Sequence, residues 1–193
     1  SFVYRIKIES KDDIKITQLQ TFADYNQLSV RIWSRDNNVY LVYTYNTDST
    51  SPIDKCRVFR QSGGSSFNMF DNLPCQNAHV IEFFTVNHDL MVLIGNFREN
   101  NGTTNAFSTI MRYDLSLSRF VEHQKLYTNA ITVGKYFYLD HQHLRNHFLF
   151  IGNSFEINEF GAINYDIPSL IYKYVDGFFT PLQTINVQHV RAV

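Results

Sequence analysis

An apolar hairpin pattern recurs four times along the chain, and this repeat limits the possible folds more than any other feature. In its two clearest copies an aromatic residue, Phe120 or Phe179, stands four positions before a glutamine. The equivalent positions in the four copies are 53, 53 and 59 residues apart by subtraction, and they are Gln18, Asp71, Gln124 and Gln183. A nearly constant period of this length indicates that one structural unit has been copied in tandem.

Each unit contains four short apolar segments with the composition of strands. A second pair of segments, such as 80–86 and 90–96, lies between successive hairpins. Aromatic residues make up 16% of the chain and are flanked by Val, Ile and Thr, side chains that suit a pleated sheet. We therefore predict an all-β fold, a β-propeller of four-stranded antiparallel blades, because a jelly roll or an immunoglobulin sandwich gives no reason for such a period.

The repeat divides the chain into about three and a half units. The predicted blade units are about 1–54, 55–108, 109–168 and an incomplete 169–193. Alignment of Val190 on Ala78 puts the last four residues at the start of a further strand. Because an unfinished sheet exposes an edge, we expect the remaining blades to be supplied by a longer polypeptide or by a partner.

Two units share an Ile-Gly-Asn sequence at the end of a predicted strand, at 94–96 and 151–153. Glycine and asparagine take positive φ more readily than other residues, so this motif predicts a left-handed exit from the sheet. Polar loops of different length occupy the equivalent places in three units, at 47–53, 97–107 and 154–168. Insertions therefore fall at one place in every unit.

The unit resembles the EAR repeat, also called the epitempin or EPTP repeat. The best matches are 170–185 and 78–96, the second of which contains Glu82, Phe83 and Phe84 ahead of its Gly-Asn end. The resemblance covers essentially all of 1–193. It implies a seven-bladed propeller in secreted or cell-surface proteins, including the leucine-rich glioma-inactivated family, with a receptor-binding role and no enzyme activity.

Charge and motif content argue against several classes of function. The chain has 17 basic and 18 acidic residues and no basic cluster, so nucleic acid is not an expected partner. Its apolar runs are far shorter than the ~20 residues of a membrane-spanning helix, so no membrane insertion of this segment is expected. The sequence has no nucleophile elbow, phosphate-binding glycine loop or zinc-type ligand spacing, and we predict no catalytic residue, metal or cofactor.

Two covalent modifications are predicted. Cys56 and Cys75, the only cysteines, lie on either side of a Ser-Gly-Gly-Ser hairpin turn. Opposed strands bring such positions together, so a disulfide is expected in an oxidising compartment, and two reduced core cysteines are the alternative. Asn101 begins an Asn-Gly-Thr sequon in a predicted loop, where we expect a glycan in a secreted protein.

A histidine cluster lies between two predicted strands of the third unit, at His141, His143 and His147. Histidines at alternate positions of a hairpin can bind a metal through neutral imidazoles. A polar turn is the commoner explanation, and Asp140 is the one carboxylate beside them in the sequence. We therefore assign no metal to this cluster.

Three hypotheses of function follow. The first is an extracellular module of a larger secreted or cell-surface protein that binds another protein, either a receptor or a matrix component. Aromatic residues in strands are expected to fill the space between blades, whereas those in loops are candidates for partner contact, namely Phe97, Phe155 and Phe160. The second is a structural role in a large extracellular assembly, and the third is a hydrolase with catalytic residues gathered around a propeller axis.

Overall fold

The structure, a computed structural model, describes residues 2–10, 13–21, 27–35, 38–45, 55–62, 64, 66–75, 77–98, 103–142, 144–158, 160–187 and 190. Within these residues every regular element is a β-strand, so the all-β prediction is confirmed. The strands are β1 (Phe2–Ser10), β2 (Asp13–Thr21), β3 (Gln27–Arg35), β4 (Asn38–Tyr45), β5 (Lys55–Ser62), β6 (Asn68–Pro74), β7 (Ala78–Val86), β8 (Asp89–Asn96), β9 (Asn105–Asp114), β10 (Arg119–Asn129), β11 (Ile131–His141), β12 (Leu144–Asn153), β13 (Glu156–Ile157), β14 (Ile163–Asn164), β15 (Ser169–Val175) and β16 (Phe178–Ile185).

The strands form a series of antiparallel sheets in chain order. Sheet 1 is the hairpin β1–β2, sheet 2 is β3-β4-β5-β6, and sheet 3 is β7-β8-β9-β10. Sheet 4 is β11-β12-β15-β16, and the small hairpin β13–β14 is inserted between its second and third strands. Each four-stranded sheet therefore has the up-and-down strand order of a blade.

The sheets keep the predicted period, but each begins about half a unit later than the corresponding predicted blade unit. Sheets 2, 3 and 4 span 27–74, 78–129 and 131–185. The unit boundary at 54–55 thus falls between β4 and β5, which are hydrogen-bonded neighbours. Each sheet consists of the second strand pair of one predicted unit and the hairpin of the next.

The core lies between successive sheets. Val42 and Val58 of sheet 2 belong to one buried cluster with Ile81 and Val92 of sheet 3. A second cluster joins sheets 3 and 4, and its members include Phe84, Leu93, Leu126, Leu149 and Ile151. Because sheet 3 lies between two neighbours, β8 is buried on both faces from Leu90 to Asn96. Each large apolar side chain buried in this way stabilises the stack by roughly 1.5–3 kcal/mol.

The Ile-Gly-Asn motif has a different cause from the one predicted. A Cβ at Gly95 would lie 2.7 Å from Val80 Cβ and 2.9 Å from Ile131 Cδ1, the first residue of sheet 4. Gly152 is crowded in the same way, since a Cβ there would lie 2.8 Å from Val190 Cγ1. Neither glycine has a positive φ, so the predicted left-handed exit is wrong and close approach of the next sheet explains the residue.

The asparagine of the same motif closes the loop that follows it. Asn96 Nδ2 donates to Phe107 O at 2.7 Å, and its backbone N–H donates to Ser108 Oγ at 3.2 Å. Asn153 makes the equivalent bonds to Pro168 O at 2.9 Å and Ser169 Oγ at 3.3 Å. One short amide side chain therefore fixes the start of the third strand, however long the intervening loop is.

The repeated glutamine forms a hydrogen-bonded clasp between sheets. The side-chain amide of Gln124 accepts the N–H of Phe179 at 2.9 Å and donates to its C=O at 2.8 Å. Gln20 clasps Phe67 in the same way, at 2.7 and 3.1 Å. The side-chain carboxylate of Asp71 has no N–H to donate, and it only accepts the N–H of Phe120 at 2.8 Å. Each clasp joins the last strand of one sheet to the start of the last strand in the next.

The equivalence drawn on the sequence at Gln18 is therefore wrong by two residues. Gln20 is the clasp of sheet 1, whereas Gln18 donates to Thr21 within its own strand at 2.9 Å. The pairing of the last two strands is irregular at the same place in every sheet, and one residue of the last strand is left unpaired before the clasp residue. This bulge aims the following side chain at the next sheet.

Candidate functional site

The loop between β12 and β15 carries a small hairpin with a fixed turn. Asn158 Oδ1 accepts the backbone N–H groups of Phe160 and Ala162, each at 3.0 Å. Gly161 has a φ of 78°, a conformation that glycine adopts without strain. The turn holds Phe160 at its tip, where the side chain is 85% exposed.

The hairpin belongs to sheet 4 in sequence but is held against sheet 3. The N–H of Ile157 donates to Thr104 Oγ1 at 2.6 Å, and Thr104 is buried. Asn105 Nδ2 donates to Glu156 Oε1 at 2.8 Å. Since Asn105 begins β9, these bonds fix the position of the hairpin relative to two sheets at once.

A row of rings connects sheet 3 to the residues that flank this hairpin in the chain. His79 stacks on Phe97 with centroids 4.1 Å apart, Phe97 meets Phe155 edge-on at 5.6 Å, and Phe155 meets Tyr165 at 6.1 Å. Burial, and after it the nearby Arg98 charge, lower the pKa of His79, so the stacked imidazole is neutral at pH 7. Phe97 and Phe155 are half-buried, and Phe155 is the ring in contact with Tyr165.

We call the exposed part of this region the loop-end surface, and we define it as Phe160, Ile163 and Tyr165. Their relative exposures are 85%, 52% and 45%, which is unusual for three large apolar side chains within six positions. Of the three predicted contact aromatics, Phe160 is in this surface, whereas Phe97 and Phe155 form its support. Ile163 and Tyr165 were not predicted, although they lie in the same polar insertion.

The opposite end of the sheets contains a cleft of about 710 Å³. It lies between the β7–β8 turn at Asn87 and His88 and the end of the β11–β12 hairpin at Asp140 and Gln142. Arg145 closes one side, where its guanidinium is 2.9 Å from Asp140 and 4.0 Å from the ring centroid of Tyr138. That bond to Arg145 lowers the pKa of Asp140.

A hydrogen-bonded chain of three groups joins sheets 3 and 4 beside this cleft. Tyr136 Oη lies 3.0 Å from Thr85 O and 2.6 Å from His147 Nδ1. With the single phenolic proton donated to Thr85 O, the Nδ1–H of His147 donates to the phenol. Burial, followed by the charge of Arg145, lowers the pKa of His147. His147 is therefore neutral at pH 7 and orients Tyr136, whose hydroxyl makes the bond to sheet 3. His143 of the predicted cluster lies outside the described residues.

The first strands of the sheets carry alternating charges at equivalent positions. The strand register aligns Arg31, Glu82 and Lys135. Lys135 Nζ lies 2.7 Å from Glu82 Oε1, and the same oxygen accepts the N–H of Tyr136 at 3.3 Å. Glu82, the acidic residue of the Glu-Phe-Phe motif, thus connects β7 to β11 through an ion pair with Lys135 and a hydrogen bond from the backbone of Tyr136.

The two predicted modification sites have different outcomes. Cys56 and Cys75 form a disulfide with Cα atoms 5.5 Å apart, and both residues are buried in the cluster between sheets 2 and 3. Asn101 lies outside the described residues.

The described part of the chain contains no group of three His, Cys, Asp or Glu residues able to hold a metal. No helix within the described ranges is long and apolar enough to cross a membrane.

Comparison with known proteins adds no relative: neither the protein-family models nor the curated proteins that were searched give a match to this chain.

Proposed function

We propose that the chain is part of an extracellular β-propeller that binds another protein through its loop-end surface. Three features support the propeller: the constant period, the face-to-face packing of successive four-stranded sheets, and the same clasp at each junction. In this proposal further blades of a longer polypeptide complete the ring, and the EAR resemblance implies seven blades in all. A disulfide between buried cysteines favours a secreted or cell-surface location.

The observation that carries the binding role is the fixed presentation of Phe160. Its ring is exposed, while the hairpin beneath it is held by four side-chain hydrogen bonds to Asn158, Thr104 and Asn105. An apolar anchor that is already ordered loses little conformational entropy on binding, and such residues contribute most of the energy of an interface. The partner is a protein with an apolar pocket wide enough for a phenyl ring.

Differential capture tests this proposal. The immobilised chain is incubated with extracellular fluid or matrix extract, and the proteins retained by the wild type are compared with those retained by Phe160→Ala. Leu115→Ala is the matched control, since Leu115 is 86% exposed and lies in the turn at the opposite end of sheet 3.

We expect Phe160→Ala to lose at least ten-fold in retained partner, because an interface anchor contributes about 2 kcal/mol or more. Leu115→Ala should retain the same proteins as the wild type. Equal retention by the two variants would rule out the loop-end surface as the binding site. Unchanged unfolding midpoints of both variants verify that the fold is intact.

A further inference from the structure

Sheet 4 has the same clasp position as the sheets before it, and this position is Gln183. The strand register places Gln183 opposite Ile171, as Gln124 lies opposite Ile110, with the same irregularity beside it. The amides or carboxylates at the three earlier positions all bind the following sheet. The side chain of Gln183 is exposed.

The bulge residue before each clasp forms a second series. Phe70 of sheet 2 stacks on Tyr113 of sheet 3 with centroids 5.8 Å apart. His123 of sheet 3 stacks on Phe178 of sheet 4 at 5.3 Å, and its Nε2 lies 2.8 Å from Gly177 O. The equivalent residue of sheet 4 is Leu182, which is 56% exposed.

Val190 lies at the place where the first strand of a following sheet would start. Val190 crowds Gly152 as Ile131, the first residue of sheet 4, crowds Gly95. Thr132 Oγ1 donates to Val190 O and so attaches this residue to the first strand of sheet 4. Val190 therefore lies against the second strand of sheet 4, where the first strand of a following sheet would begin.

We infer that Leu182 and Gln183 are the docking edge for one further sheet of this repeat, the next blade of the same polypeptide. The Gln183 amide accepts the N–H and donates to the C=O of one residue at the start of that sheet's last strand. The three observed clasps reach partners 47, 49 and 55 residues downstream, and all three partners are phenylalanine. The partner of Gln183 is thus an aromatic residue about 50 positions further along. This inference rests on the proposed propeller and adds the contact by which it continues.

Thermal unfolding in two lengths of the protein tests the inference. The 193-residue chain and the natural polypeptide are each prepared as wild type, Gln183→Ala and Gln124→Ala. Gln124→Ala is the matched control because its clasp is made within the 193 residues. Loss of a clasp removes two hydrogen bonds and should lower the Tm of the 193-residue chain by about 4–8 °C.

We expect Gln124→Ala to lower the Tm in both lengths and Gln183→Ala to lower it only in the natural polypeptide. In that polypeptide, the amide of the aromatic residue about 50 positions beyond Gln183 should exchange slowly, and Gln183→Ala should speed its exchange at least ten-fold. A Gln183→Ala variant that matches the wild type in both lengths, or a natural polypeptide without a further four-stranded sheet, would overturn the inference. Capture through Phe160 does not depend on Gln183, so the two proposals fail separately.

Discussion

Gly95 is the residue at which the close approach of neighbouring sheets is most restrictive. Its backbone has no room for a methyl group, because Val80 Cβ and Ile131 Cδ1 are both within 3 Å of the position a Cβ would take. In sheet 2 the strand register puts Thr44 at the equivalent position, and the residue equivalent to Ile131 there is the smaller Ala78. Between sheets 2 and 3 the larger residue is therefore on the second strand, whereas between sheets 3 and 4 it is on the first strand of the following sheet.

We expect Gly95→Ala to destabilise the protein by about 1–3 kcal/mol, since overpacking forces a shift of the backbone of β7 or β11. Urea unfolding followed by tryptophan fluorescence gives this value, because Trp33 stacks on Phe83 of sheet 3 at 5.5 Å. An unchanged midpoint for Gly95→Ala would show that the first strand of sheet 4 does not lie against β8 as described.

His147 makes stability depend on pH below neutrality. Its pKa is lowered in the folded protein, so the unfolded chain takes up the proton first as the pH falls through about 6.5. The contribution of His147 is therefore complete above that pH and is lost on acidification towards the lowered pKa.

Replacement of His147 by Gln should reduce the loss of stability between pH 7 and pH 5 by up to about 1.4 kcal/mol for each unit by which the pKa is lowered. Urea midpoints measured at half-unit intervals provide the test. The dependence that remains belongs to other groups, including His79, whose pKa is lowered in the same direction. If His147→Gln has the same pH dependence as the wild type, the imidazole is not the buried bridge to Tyr136.

At the scale of elements, the hairpins with strong local turn signals could be predicted and the short inserted one could not. Asp176 and Gly177 form a two-residue turn in which both φ angles are positive, as their sequence predicts. β13 and β14 have two residues each and depend on bonds to Thr104 and Asn105 of another sheet. No local pattern encodes such a contact.

The repeated Gln illustrates the same limit. Its recurrence identifies the period, but the clasp that causes the recurrence joins residues 47 to 55 positions apart. The hydrogen bonds are to the backbone of the phenylalanine, so the pairing of the two residue types could not be derived from their side chains. In sheet 1 two glutamines lie two positions apart in one strand, and only the contact of Gln20 with Phe67, 47 residues away, shows which of them is the clasp.

The disulfide stabilises sheet 2 by closing a segment of 19 residues that contains the hairpin β5–β6. We expect the double replacement of Cys56 and Cys75 by Ser to cost about 3 kcal/mol, the entropy of a loop of this length. Urea unfolding with and without reductant measures it. Reductant should lower the midpoint of the wild type and leave that of the double variant unchanged. A wild type indifferent to reductant would indicate that the two thiols are not joined.

At the scale of the whole molecule, one mode of contact between sheets is used repeatedly. Apolar side chains fill the two described interfaces of sheet 3, Ile131 of sheet 4 lies against the second strand of sheet 3, and a clasp joins the last strands at each of the three junctions. Glu82 and Lys135 add a charged link between first strands. In repeat proteins the stability is the sum of such neighbour terms, so weakening one junction should loosen the two sheets that it joins.

The exchange rate of the Phe179 amide tests this account most directly, because that N–H lies in sheet 4 and is bonded to the side chain of Gln124 in sheet 3. Hydrogen exchange followed by NMR should find the Phe179 N–H protected in the wild type and at least ten-fold faster in Gln124→Ala, with the ladder amides of β15 and β16 unchanged. If the Phe179 amide exchanges at its unprotected rate in the wild type, successive sheets are not joined in this way.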